Sequence, residues 1–256
     1  MDNKENNMIE EALKLIKHYN LGLVNKWILE HNTSLALPYH SYNHSLYVMC
    51  NAYNCWTYEK SDDDYDAIRA MLLGALFHDF GHSGGLFHDD MKNTRLAQEA
   101  VMQLAFDESF RLNKRGGQRF QVEGICGIFL GILIEKLKYP HEPLEDLCEG
   151  IELHYSINCL AGKHRSFTQE ECTLMVNCLR DADLMQNCNE TILNNFIGIK
   201  HESFRHLRWE EYYQLSVEFL SGLKYNTAYG KKVGKPLLNH AVKQLKQFGK
   251  LLGLDK

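Results

Sequence analysis

Proline is scarce in this chain of 256 residues, with only four, and nowhere does an apolar/polar alternation of period two persist. A sheet-built fold, which needs such half-buried strands and frequent turns, is therefore not expected. Long apolar runs are also missing. None reaches the roughly 18 residues of a membrane span, and the opening MDNKENNMIEEALK is polar and acidic where a secretory leader would be apolar. The eight cysteines, at 50, 55, 126, 148, 159, 172, 178 and 188, contain no CxxC pair. That spacing predicts reduced, mostly buried thiols in a cytoplasmic setting rather than a disulfide scaffold. Excess positive charge is absent as well. The 28 Lys and Arg stand against 33 Asp and Glu, a net charge of −5, which argues against general nucleic-acid binding. One basic cluster, GKKVGKP followed by Lys243, Lys246 and Lys250, reads first as a solvated helix face, although it could meet phosphate.

What remains is a chain with 45% hydrophobic residues, enough for a sizeable core, and no linker-like tract to divide it. Long patterns of period 3.6 predict an all-α fold built as a single compact multi-helix domain over residues 1–256. One helix places Ile9, Ala12, Leu13 and Ile16 on a face, and a second places Leu23, Val24, Trp27 and Ile28. NHSLYVMCNAYNCWTYE is a third, and SDDDYDAIRAMLLGALFHD a fourth, whose acidic first turn suits the helix dipole. That fourth helix is apolar almost all round after Ala67, so it should be central. Further helices are expected near 93–107, 120–138, 143–158, 168–186, 190–199, 208–224 and 236–252. Residues 112–119 read as a loop, and KYNTAYGKKVGKP as the longest irregular segment.

Three polar intrusions interrupt these apolar helices. In LPYHSYNHSLYV, His40 and His44 are four apart and so lie near one another at a helix or its start. In ALFHDFGHSGG, His78 and Asp79 end the greasiest helix and His82 follows four residues later. In MVNCLRDADLMQN, Asp181 and Asp183 sit inside an otherwise apolar helix. A buried ionised carboxylate is costly unless it is paired or holds a cation. One divalent ion would answer all three intrusions, because neutral imidazole and carboxylate oxygen are ordinary zinc ligands. Each piece alone has a plainer reading as a cap or a structural hydrogen bond. Helix spacing leaves Asp181 and Asp183 equally placed.

The order YHxxxH, HDxxH, D resembles that of the HD-domain metal-dependent phosphohydrolases, and specifically the class I cyclic-nucleotide phosphodiesterases. YHSYNH stands where those enzymes have Tyr-His-Asn-x-x-His, HDFGHSGG where they have His-Asp-x-x-His, and LRDADL resembles their Ala-Asp-Leu helix. The likeness covers about residues 35–190, with C-terminal helices completing the pocket. It implies His44, His78, Asp79 and Asp183 as ligands of a first, zinc-like ion, with Asp79 bridging to a second ion, Mg2+ or Mn2+. It implies His40 as general acid, His82 beside the metal-bound water, and Tyr39 close to substrate. The substrate implied is a small nucleotide, and a homodimer is the assembly left open. A leaving sugar oxygen needs a proton, which an imidazolium near the metals can supply.

The chain departs from that pattern in one respect. No Gln-x-x-Phe follows residue 190, the arrangement with which those enzymes grip the purine. Gln214, Phe219 and Tyr225 are the weak substitutes, so which nucleotide is bound is not set by the likeness. His154 is an extra histidine, read either as a core residue or as a ligand of a second metal, as in di-iron HD oxygenases. Other readings are an HD phosphohydrolase acting on nucleoside mono- or triphosphates, and a non-catalytic nucleotide-binding module. His88 and His164 fall in polar loops.

Overall fold

A computed structural model of the chain describes residues 3–22, 25, 26, 29, 37–78, 169–188 and 192–255. Among these residues the protein is helical, without a strand. The elements are α1 (Asn3–His18), α2 (Tyr42–Lys60), α3 (Tyr65–Phe77), α4 (Gln169–Gln186), α5 (Ile192–Ser203), α6 (Trp209–Gly222), a π-helical turn (Gly230–Gly234) and α7 (Lys235–Leu252). No helix among them is long and apolar enough to cross a membrane. The helix expected around Leu23, Val24, Trp27 and Ile28, and the elements expected between 93 and 158, lie outside the described residues.

Local chemistry sets several boundaries. Ser41, in an extended conformation, caps α2 by accepting from the His44 amide, so the helix starts at Tyr42 and His40 lies just ahead of it. Asp64 caps α3, its carboxylate accepting from the Ala67 amide at 3.2 Å. The acidic run Asp62–Asp64 thus precedes the helix, correcting the expectation that it forms the first turn. Gly253, at φ +67°, ends α7 in the left-handed conformation that suits glycine. Two further expectations change. Leu13 is 48% exposed, while Ala12 and Ile16 face the core. Part of the segment read as irregular, Gly230–Gly234, is a π-turn leading straight into α7, with Pro236 in that helix's first turn, where proline's missing amide is harmless.

Two apolar clusters form the core. The first joins α1, α2, α3 and the N-terminal part of α4 through Leu46, Met49, Trp56, Ile68, Met71, Leu72 and Leu179. The second joins the end of α4 to α5, α6 and α7 through Met185, Phe196, Tyr213, Leu220, Leu238 and Leu245. Burying each large side chain contributes about 1.5–3 kcal/mol. Helix α4 belongs to both clusters: Ala182 lies in the first and Leu184 in the second. The residue between them, Asp183, therefore sits where the two cores meet.

Candidate metal centre

His44 comes from the first turn of α2, His78 from the residue that ends α3, and Asp183 from the C-terminal half of α4. These helices pack on one another, and their three polar side chains converge. His44 Nε2 lies 3.1 Å from His78 Nε2 and 3.1 Å from Asp183 Oδ1. His78 Nε2 lies 3.7 Å from the same oxygen. All three residues are buried, at 3%, 0% and 4% exposure. Ligands about 2.0–2.1 Å from a tetrahedral zinc ion stand about 3.3 Å apart, so the spacings bracket what one such ion requires.

The His78 tautomer strengthens the fit. Its Nδ1–H donates to the Ala75 carbonyl at 2.8 Å. That bond leaves the Nε2 lone pair directed at His44 and Asp183, the usual way a backbone carbonyl orients a metal-binding imidazole. Three buried electron-rich atoms so close together are costly without a shared proton or cation. The group of three described residues could hold a divalent ion.

Asp181 does something else. Its carboxylate accepts from the Thr227 amide at 2.8 Å, the Thr227 hydroxyl at 2.7 Å and the Asn226 amide at 3.0 Å. Burial pushes its pKa up, and these donors partly offset that. It ties α4 to the segment that starts the π-turn. Gly230 makes the close approach feasible, since a Cβ there would collide with the Asp181 carboxylate. The two aspartates, equivalent by spacing, thus face opposite ways: Asp183 towards the histidines and Asp181 towards residues 226–230.

His40 stands beside the group without joining it. Its ring centroid is 6.0 Å from that of His44, edge to face, and Tyr39 packs against both rings at 4.8 and 4.7 Å. His40 Nδ1 is 2.5 Å from Glu202 Oε2. Glu202 is fully buried and also accepts from the amides of Tyr39 and His40. Burial alone would raise the Glu202 pKa, but His40 and the two amides together hold it below the usual carboxylate value. Gly198, one turn earlier on α5, lies against Pro38 and Tyr39.

Glu202 is absent from the sequence reading, yet it left a signal. It lies in the last turn of α5, where a negative charge opposes the helix dipole and needs a compensating donor. Gln214 and Phe219 point outward from α6, Phe219 being 52% exposed, and α6 packs on α7. Tyr225 is buried against Gly234 and Cys188. Asp79, His82, His88, His154 and His164 lie outside the described residues. Comparison with protein-family models, curated proteins and solved structures gives no match.

Proposed function

We propose that the protein is a metal-dependent phosphodiesterase that hydrolyses a cyclic nucleotide or a related cyclic nucleotide signal. The observation that carries this reading is the convergence of His44, His78 and Asp183 at 3.1–3.7 Å, with the His40–Glu202 pair alongside. In this reading His44, His78 and Asp183 would hold a first ion, of zinc type; Asp79, the further ligand the resemblance implies for a Mg2+ or Mn2+, lies outside the described residues. Bound there, such ions supply Lewis acidity and lower the pKa of coordinated water.

The chain's own contribution is orientation and proton delivery. Glu202 fixes His40 Nδ1 as the protonated nitrogen and supports positive charge on the ring. The His40 Nε2–H is then the proton offered to the departing sugar oxygen. A sugar alkoxide needs such an acid more than a pyrophosphate does, which favours the diester over triphosphate substrates. Tyr39 packs against both rings and helps to hold His40 in place beside the metal ligands.

The test is turnover by the purified chain loaded with zinc and with manganese or magnesium. Cyclic mono- and dinucleotides, nucleoside mono- and triphosphates and aryl phosphodiesters are offered, and products are separated by chromatography. Diester hydrolysis is expected, with Asp183→Asn losing both metal and activity and His40→Ala losing activity while retaining metal. Hydrolysis of monoesters or triphosphates alone, or normal cyclic-nucleotide turnover by His40→Ala, refutes the reading.

A further inference from the structure

The charge of this chain is sharply divided. Residues 229–256 carry seven lysines and one aspartate, a charge of +6, so residues 1–228 carry −11 of the net −5. Within α7, Lys235, Asn239, Lys243, Lys246 and Lys250 follow one another at helical spacing and are all exposed. They form a straight stripe about 22 Å long at 1.5 Å per residue. Lys231 and Lys232, both exposed, extend it onto the π-turn. No described carboxylate forms an ion pair with Lys235, Lys243, Lys246 or Lys250. At the end of α7, turned about 100° and 160° round the axis from Lys250, two adjacent leucines protrude, Leu251 at 85% and Leu252 at 57% exposure.

We infer that this face of α7 docks on an anionic lipid bilayer surface. The residue types choose the occupant. Every cation on the stripe is lysine, and no arginine follows Arg208, so the bidentate forks that read phosphates and bases are missing. The described aromatics of α7 amount to Phe248, which packs into the second core; the exposed Tyr58 ring meets the stripe only at its π-turn end, under Lys232, so no row of aromatics accompanies the α7 lysines for stacking nucleobases. Lysine is also depleted from protein–protein interfaces. A lysine row instead matches a bilayer interface, where amines meet anionic headgroups. The opposite face of α7, with Leu238, Ala241, Leu245 and Gly249, is committed to the core. The helix therefore attaches by its charged face without leaving the fold. The sequence-based expectation of no membrane partner rests on the absence of a long apolar run, which surface attachment does not need. The acidic remainder of the chain is repelled by such a surface and sets the orientation.

The experiment is co-sedimentation of the full chain with phosphatidylcholine vesicles, with and without about one-third phosphatidylserine. Binding is expected to the anionic vesicles only, and is expected to fall steeply as salt rises from about 0.05 to about 0.5 M. Lys243→Gln with Lys246→Gln should weaken it roughly thirtyfold, the effect of removing two lysine attractions. Lys243 and Lys246 are both exposed, and unchanged circular dichroism and metal content verify that the variant is folded. No binding, equal binding to neutral vesicles, or undiminished binding by the lysine variant overturns the inference. Tighter binding to a single-stranded oligonucleotide at the same salt overturns it as well.

Discussion

Replacing Glu202 with glutamine keeps the volume of the side chain and removes its charge. The carboxylate accepts from three donors, the amides of Tyr39 and His40 and the His40 ring, in a fully buried position. Glutamine retains one accepting oxygen and turns an NH2 group towards the remaining donors. Two charge-assisted hydrogen bonds are lost, each about 1.5–3 kcal/mol, and a change of the His40 tautomer, which lets Nδ1 accept from the new NH2 group, recovers part of this. The net expected destabilisation is about 3 kcal/mol, or roughly 6–12 °C in melting temperature for a chain of this size. The pH dependence has a definite sign. The folded-state pKa of Glu202 lies below its ordinary value, so its contribution is complete above the unfolded carboxylate pKa of about 4.3. It is lost as pH falls through the lower folded-state value. Urea denaturation at neutral pH and at successively lower pH measures the difference between wild type and Glu202→Gln. That difference should be full at neutral pH and shrink in acid. A change under about 0.5 kcal/mol at neutral pH, the size of an ordinary surface substitution, would refute the reasoning. So would a difference that grows on acidification.

Zinc at about a hundredfold above its dissociation constant should stabilise the wild type by about 2.7 kcal/mol, read as a rise in melting temperature, while His44→Ala and Asp183→Asn should show no such rise. Asp181→Asn should behave oppositely: it should lose about 2–4 kcal/mol of stability through its bonds to Asn226 and Thr227, yet still bind zinc with unchanged stoichiometry by calorimetry. Leu72→Ala, at a fully buried position in the first core, should cost about 2–5 kcal/mol by urea denaturation. Cys50, buried and with its thiol pushed up to about 12, should resist alkylation in the native protein near pH 8 and react on unfolding, as peptide mass mapping would show.

Much of the candidate site is legible in sequence because burial makes polar residues conspicuous. His44, His78 and Asp183 each interrupt an apolar helix, and an interruption of that kind is visible in a single chain. Other features are not, for geometric reasons. Period 3.6 places Asp181 and Asp183 on the same helix but does not say which side meets a neighbour. Spacing likewise put Leu13 beside Ala12 and Ile16, whereas packing turned it outward.

The helical class, the limits of α2, α4 and α7 to within a few residues, and the polar breaks in apolar faces follow from the sequence alone. They depend on local capping, side-chain periodicity and the cost of burying charge, which neighbouring residues already express. The rotation of α4 that turns Asp183 towards His44 and Asp181 towards Thr227 was decided by tertiary structure. So was the pairing of His40 with a carboxylate 162 positions away. Both depend on how separate elements seat against one another, and Gly230 records that seating by having no side chain where the Asp181 carboxylate comes close.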